Sequence, residues 1–329
     1  MRIHVAMPDT GLCTDFFPPA VRDRLTSIGT VTWNETTENY TEAELRKRVK
    51  GVDVLITGWG STQVTGTVLS GADNLRLLAH AGGTVADIAS RDVYEDRIPV
   101  VSANDVMADH TAEHTIAALL AERRAISALD TSMHSGEWNR ADHEINTLYD
   151  ATISLVSLGT IGHKLIEHLV PFEPNVRVYD PYVNKSVLED YPFATFVDLD
   201  TALNAEIVSI HAARTPETEG MIDAEHLSTI PDGGLLVNTA RAEIVEEEPL
   251  LKELRSGRLS AVLDVHHEEP LPEEHELRSL ENVLLTPHVG GSQIRPPLAA
   301  AVVDDIERFA AGEPLKHRIP REQWETMTR

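Results

Sequence analysis

A single cysteine, Cys13, stands in 329 residues, so no internal disulfide can form and a reducing compartment is expected. No run of about 18 apolar residues occurs, which argues against a helix that spans a bilayer. The opening Met1-Arg2-Ile3-His4-Val5-Ala6-Met7-Pro8-Asp9 is too short in apolar residues for the core of a signal peptide, so a cytoplasmic location is expected. Positive charge is scarce: 28 basic residues face 53 acidic ones, a net charge of −25. Nucleic acid and anionic membrane surfaces bind through a surplus of Lys and Arg, so neither is an expected partner. Lysine is scarcer still, with six of the 28 basic residues. That imbalance fits two readings, a surface adapted to high salt and a high-GC codon bias in an acidic enzyme. Repeats, low-complexity tracts and Gly/Ser linkers are missing as well. What is present is an ordinary globular mixture, 42% hydrophobic and 25% charged. At about 150 residues per domain the length suggests two domains, and the remaining partners are small molecules.

Short apolar runs alternate with helical patterns along nearly the whole chain, the pattern of α/β domains with parallel sheets. In the first hundred residues, strands are expected at 3–7, 52–57 and 75–79. A helix over 41–50 has Thr41 as N-cap and Glu44 three residues on, a capping box. An Ala/Leu-rich helix follows over 109–126, and 130–150 reads as a polar loop or arm. A stronger series begins at Thr152, with strands near 153–158, 176–180, 207–212, 234–239, 259–265 and 282–287 and helices between them. That cadence describes a doubly wound sheet. A closing helix over 297–311 ends at Gly312.

The first strand of that series, Ile153-Ser154-Leu155-Val156-Ser157-Leu158, runs into Gly159-Thr160-Ile161-Gly162. This matches the second and third glycines of G-x-G-x-x-G, with Ser157 at the first. Gly159 lets backbone approach a pyrophosphate, and Gly162 lets the helix pack on the strand. The helix N-terminus offers free N–H groups to phosphates. Asp180, at the end of the next strand, stands where a carboxylate meets the ribose hydroxyls of a dinucleotide. A 2′-phosphate would repel it, and only Lys185, five residues on, offers compensating charge, so NAD is expected over NADP.

Three further residues suit acid–base work on a small acid. Arg241 follows the apolar strand LLVNTA, at the sheet edge where α/β ligands bind, and its fork can grip a carboxylate and polarise the adjacent carbonyl. His288, between Pro287 and Gly290-Gly291, can exchange a proton with a 2-keto or 2-hydroxy oxygen. Glu269 can hold one imidazole nitrogen, fix the tautomer and favour the protonated ring by charge.

Val237-Asn238-Thr239-Ala240-Arg241, Leu263-Asp264-Val265-His266-His267-Glu268-Glu269-Pro270 and Thr286-Pro287-His288-Val289-Gly290-Gly291 resemble the signature segments of the D-isomer-specific 2-hydroxyacid dehydrogenase family. Val208-Ser209-Ile210-His211 with Thr215-Pro216-Glu217-Thr218 fits too, as does Gly136-Glu137-Trp138. The likeness runs over about 75–315. It implies an NAD-dependent oxidoreductase that interconverts a small D-2-hydroxy acid and its 2-keto acid. Arg241, Glu269 and His288 would be catalytic; Glu269 is preferred to Glu268 because the family's acid precedes the proline. The likeness further implies carboxylate binding by Ala81-Gly82-Gly83-Thr84. For the cofactor it implies Thr111, Gly159, Thr160, Ile161, Gly162, Asp180, His211, Thr215, Ala240, Asp264 and Gly290, with Asp264 on the nicotinamide amide. Trp59 has two readings, a wall of the substrate pocket and a core residue. The implied architecture is a Rossmann domain, 105–292, inserted in a flavodoxin-like substrate domain, 1–104 with 293–329. The active site would lie in the cleft between them, and a homodimer would form through the cofactor domain.

The sequence departs from the family at Ser157, at Ala242 after Arg241 and at Ala213 after His211, which bears on turn geometry rather than reaction class. His110-Thr111-Ala112-Glu113-His114 spells H-x-x-E-H, a zinc-site pattern, but it coincides with the family's interdomain helix, so no metal is expected. His266 and His267 read as solvent-facing. Two alternatives stay open: a dinucleotide-sensing interaction protein of the co-repressor type, and a phosphite-type dehydrogenase. Glu269 in place of Gln disfavours formate, and regulation by serine through a C-terminal domain is not expected.

Overall fold

The computed structural model describes residues 1–138, 145–291 and 293–328. The chain divides into two compact units, Met1–Ala108 with Ser292–Arg329, and Asp109–Gly291. The division falls within the helix Asn104–Arg123.

The first unit holds strands β1 (Arg2–Val5), β2 (Thr30–Trp33), β3 (Val54–Thr57), β4 (Leu77–His80) and β5 (Val100–Ser102). They form one parallel sheet in the order β2-β1-β3-β4-β5, the flavodoxin-like order. β3 and β4 are buried at every position, as expected for strands covered on both faces. β2 and β5 lie at the two edges; β2 alternates Thr with apolar residues, and β5 has three residues behind Pro99, so neither stood out in the sequence. The Thr41 capping box is present: the Thr41 hydroxyl accepts from Glu44 N, and Thr41 N donates to Glu44. The C-terminal stretch joins this unit through the helix Arg295–Ala311, whose Leu298, Val302 and Ile306 are fully buried in its core. Buried Asp305 accepts from Lys316 N at 2.6 Å, His317 N at 2.9 Å and His317 Nδ1 at 3.0 Å. This clasp folds the tail back so that Ile319 N donates to Val100 O.

The second unit holds β6 (Thr152–Val156), β7 (Asn175–Tyr179), β8 (Ala194–Phe196), β9 (Ile207–Ile210), β10 (Leu235–Asn238), β11 (Ser260–Leu263) and β12 (Val283–Leu285). All are parallel, in the order β12-β11-β10-β9-β6-β7-β8. The order reverses between β6 and β9, so a crevice opens there at the carboxyl ends of the strands, where ligands of this architecture bind. Both sheets agree with the expected class, a doubly wound Rossmann sheet beside a flavodoxin-like one.

The stretch expected as a loop is partly helical. Ile126–His134 is a helix with no buried residue. Its apolar Ile126, Leu129 and Met133 share one face, but the polar residues between them blur the period. The rest of that expected arm includes 139–144, which lie outside the described residues.

Candidate active site

The carboxyl ends of β10, β11 and β12 bring three expected residues together. Buried Asn238, the last residue of β10, accepts from Ala240 N at 3.0 Å and donates from Nδ2 to Arg241 O at 2.9 Å. This brace turns the chain so that Arg241 leaves the sheet edge. Arg241 donates to Ala240 O at 2.6 Å. Burial lowers its guanidinium below the ordinary value; Glu243 and Glu269 oppose that shift and Arg214 adds to it. An arginine so placed stays charged and binds an anion in a low-dielectric setting, where charge-assisted bonds are strong.

Next to it, β11 is followed by Asp264, 1% exposed. One Asp264 oxygen accepts from Thr286 Oγ1 at 2.6 Å and Val289 N at 2.9 Å; the other accepts from Gly290 N at 2.9 Å. A Cβ on Gly290 would lie 2.9 Å from that carboxylate, so only glycine fits. The carboxylate therefore pins the loop that carries His288. His288 itself has φ +51°, a left-handed angle that costs energy unless the surroundings hold it. They do: the loop is anchored on Asp264, and His288 Nδ1 meets Glu269 Oε2 at 2.8 Å. The other Glu269 oxygen accepts from His266 N at 3.1 Å. Both side chains of the pair remain open to solvent, 44% and 39% exposed. Arg241, Glu269 and His288 thus gather at one sheet edge.

At the switch point, the two glycines of the turn differ in their surroundings. A Cβ on Gly159 would meet no atom within 4 Å, whereas one on Gly162 would lie 3.0 Å from Ser157 O. Gly159 therefore has open space beside it, and Gly162 is needed for packing. The helix Thr160–Leu169 starts there, carrying Thr160 and Ile161 in its first turn. Ser157, in the place of the family's first glycine, has φ +76°. Its hydroxyl donates to Asp180 at 3.0 Å beside Leu158 N at 2.8 Å. Asp180 also accepts from Tyr182 N and Val183 N, so its charge is fixed at the end of β7. His211 follows β9. Its Nε2 meets Ser209 Oγ at 2.8 Å, while Nδ1 is buried without a hydrogen-bond partner among the described residues. Burial lowers His211 to about 4, so the ring is neutral. An orphaned polar atom, a glycine with free space and a helix start at one strand edge fit a nucleotide. Thr215 N donates to Thr218 Oγ1, which in turn donates to Ala213 O, so the turn without its proline is closed by a hydroxyl. Buried Thr111 accepts at its carbonyl from Thr115 Oγ1; Thr115 Oγ1 also meets Thr239 Oγ1 at 2.9 Å, next to Ala240.

Some expectations are corrected. His266 is not solvent-facing: its Nε2 meets Thr286 O at 3.0 Å, because the chain after β11 curls against the end of β12. His267 is exposed but its Nε2 meets Val245 O. His114 of the H-x-x-E-H segment turns to Thr286 Oγ1, 3.2 Å away, and to Asp264, 3.6 Å away. Gly82, Gly83, Thr84 and Trp59 belong to the first unit. The Thr84 hydroxyl donates to Thr328 O and accepts from Ala86 N, which leaves only its backbone N–H for a ligand. Trp59 is half-buried, edge-on to Phe16 at 4.8 Å between centroids. Asn238 and Thr286 were missed in the sequence; polar residues at the ends of apolar strands were their only signal, and His114 was read there only as part of the H-x-x-E-H segment.

Residues 116–290 match the model of the D-isomer specific 2-hydroxyacid dehydrogenase NAD binding domain. The chain is 32% identical over 283 residues to a D-3-phosphoglycerate dehydrogenase of Methanocaldococcus jannaschii, covering 85% of this chain and 54% of that protein. It is 32% identical over 261 residues to a hydroxypyruvate reductase of Thermotoga maritima, covering 78% and 84%. The chain thus spans about half the length of the phosphoglycerate dehydrogenases it matches. Among solved structures, the TT0316 protein of Thermus thermophilus superposes with a TM-score of 0.76 at 28% identity, covering 97% of this chain and 100% of that one.

Proposed function

The chain belongs to the D-isomer specific 2-hydroxyacid dehydrogenase family, and from that premise we propose that it interconverts a small D-2-hydroxy acid and its 2-keto acid with NAD. The observation that carries this reading is the 2.8 Å contact between His288 Nδ1 and Glu269, one strand end away from a half-buried arginine. NAD, when bound, would supply or accept a hydride at C2 of the acid. Arg241 holds the carboxylate and polarises the keto oxygen. His288, with Nδ1 occupied by Glu269, offers Nε2 to the C2 oxygen: it gives a proton in reduction and takes one in oxidation. Glu269 fixes that tautomer, and its charge favours the imidazolium that reduction consumes. Gly159, Thr160, Ile161 and Gly162 would cradle the pyrophosphate, and Asp180 the ribose. Thr111, His211, Thr215, Ala240, Asp264 and Gly290 would line the rest of the cofactor site. Gly82, Gly83 and Thr84 would serve the substrate carboxylate with backbone N–H groups. The first unit would be the substrate domain.

The test is a reductase assay over glyoxylate, hydroxypyruvate, pyruvate, phenylpyruvate and branched 2-keto acids with NADH and NADPH. Turnover of at least one is expected, with NADH preferred at least about tenfold in kcat/KM. The fixed Asp180 charge about 4 Å from a 2′-phosphate is worth about 4 kcal/mol before screening, at an effective dielectric near 20. Equal use of NADPH would overturn that preference. Arg241→Ala is expected to lower kcat/KM by about 10- to 150-fold or more, since each bond to a charged group is worth about 1.5–3 kcal/mol. Arg241→Lys should rescue poorly, because a point charge cannot span two oxygens in one plane. Near-normal kcat/KM in Arg241→Ala would sink the assignment.

We infer as well that the chain works as a homodimer through the second unit. The support is the helix Ile126–His134, which buries nothing, and the exposed Ile126, Met133, Trp138, Ile145 and Tyr149 in the same stretch. A monomer mass in analytical ultracentrifugation would remove this part of the reading.

A further inference from the structure

Asp180 stands where the ribose of NAD is expected, yet the chain already uses this carboxylate in full. Oδ2 accepts from Ser157 Oγ at 3.0 Å and from Leu158 N at 2.8 Å. Oδ1 accepts from Tyr182 N at 2.9 Å and from Val183 N at 3.1 Å. An ionised carboxylate has about four lone-pair sites and can only accept. The internal donors therefore fill Asp180, and the direction of the Ser157 bond is settled: the hydroxyl gives its proton.

These donors differ in what it takes to move them. Three are backbone N–H groups of the turns after β6 and β7. The fourth is a hydroxyl that turns about one bond. The Ser157 backbone is itself pinned, since its N–H donates to Tyr179 O at 2.7 Å and a Cβ on Gly162 would lie 3.0 Å from its carbonyl oxygen. Its φ of +76° is an angle that glycine adopts freely and serine at a cost. A glycine here would bring no hydroxyl to the carboxylate. When a ribose diol approaches Asp180, the contact open to exchange is thus the one from Ser157. That contact is a charge-assisted bond, so giving it up weakens the net gain from the ribose.

We propose that Ser157 is a selectivity residue of the cofactor site, whose hydroxyl competes with the adenosine ribose for Asp180 and so weakens NAD and NADH without weakening NADP and NADPH. This rests on the dinucleotide reading above. The lone pair that Ser157 holds is useful to a hydroxyl, which can donate to it. A 2′-phosphate meets the carboxylate with charge of the same sign, so freeing that lone pair gives it nothing. Ser157 narrows a preference for NADH that the Asp180 charge sets.

Binding of NADH and NADPH to the purified protein, followed by nicotinamide fluorescence with no 2-keto acid present, tests this apart from turnover. Ser157→Gly and Ser157→Ala should each lower the NADH Kd about three- to tenfold and leave the NADPH Kd within about twofold. The two variants separate the hydroxyl from the backbone, because Gly relieves the positive φ and Ala keeps it. An NADH Kd unchanged or raised in both, or lowered in Gly alone, would overturn the proposal, as would an equal gain for NADPH. A second measurement needs no variant. In the unchanged protein, an NADH analogue without the adenosine 2′-hydroxyl should bind within about threefold of NADH, because Ser157 keeps the bond that the ribose does not make. A loss of about tenfold or more there would show Asp180 open to the ribose and would also overturn the proposal. NADH affinity indifferent to Ser157 would remove the proposal and keep the NAD reading. Affinity that responds to Ser157 without turnover of any 2-keto acid would keep the proposal and remove the reductase reading. Binding of neither dinucleotide would remove both.

Discussion

His288→Asn is expected to lower kcat for 2-keto acid reduction by about 10²- to 10⁴-fold while NADH still binds. A positioned general acid contributes about that factor, and no other imidazole is bonded to Glu269 among the described residues. Asn is the informative replacement because position 288 has φ +51°. Asn tolerates the left-handed region, whereas Ala would add strain to a loop already anchored on Asp264, and the loss of chemistry would be mixed with a loss of shape. The amide can still meet Glu269, so the loop is kept and only the proton is removed. Stopped-flow measurement of a single turnover, with NADH affinity measured in parallel, checks this. A kcat within about threefold of the unchanged protein would take the acid–base role away from His288.

The cofactor half of the molecule was the more legible half. Its central strands are mostly apolar and almost wholly buried, because both faces are covered, and the glycine turn after β6 has a mechanism that can be read from residue type alone. Ser157 shows both the reach and the limit of that reading. The sequence marks it as a departure from glycine; the structure shows why glycine is usual, since φ is +76°, and what accompanies the serine, a hydroxyl donated to Asp180. The edge strands β2, β5 and β8 were not legible. They have three or four residues, too few for a period to register, even where β2 alternates. The His288–Glu269 pair could be named from chemistry and motif. The brace from Asn238 and the anchor at Asp264 could not, because they depend on which strand ends become neighbours.

Acid should loosen the first unit before the second, in a window above that of the carboxylates. His4 is lowered to about 4 by burial, with Arg48 adding to the shift and Thr32 opposing it; His80 and His211 are lowered to about 4 by burial. Unfolding restores the ordinary value near 6.5, so below it the unfolded chain binds more protons than the folded one. The stability these neutral rings contribute is therefore complete above about pH 6.5 and is lost as pH falls toward 4. Between pH 7.5 and 5 each ring accounts for about 2 kcal/mol by this linkage. Two of the three, His4 and His80, lie in the first unit, which is thus expected to lose about 4 kcal/mol against about 2 for the second. The net charge of −25 works the other way, since protonating carboxylates relieves repulsion, but most of that titration falls below pH 5. Tryptophan fluorescence can separate the units: Trp33, Trp59 and Trp324 lie in the first, and only Trp138 in the second. The urea midpoint followed by fluorescence should fall more steeply from pH 7.5 to 5 than the midpoint followed by loss of bound NADH. His4→Gln should remove about half of that extra steepness, because Gln can keep the contact with Thr32 and has no proton to gain. A fluorescence midpoint that does not move over this window, or one that moves equally in His4→Gln, would show that these buried rings do not set the acid limit of the fold.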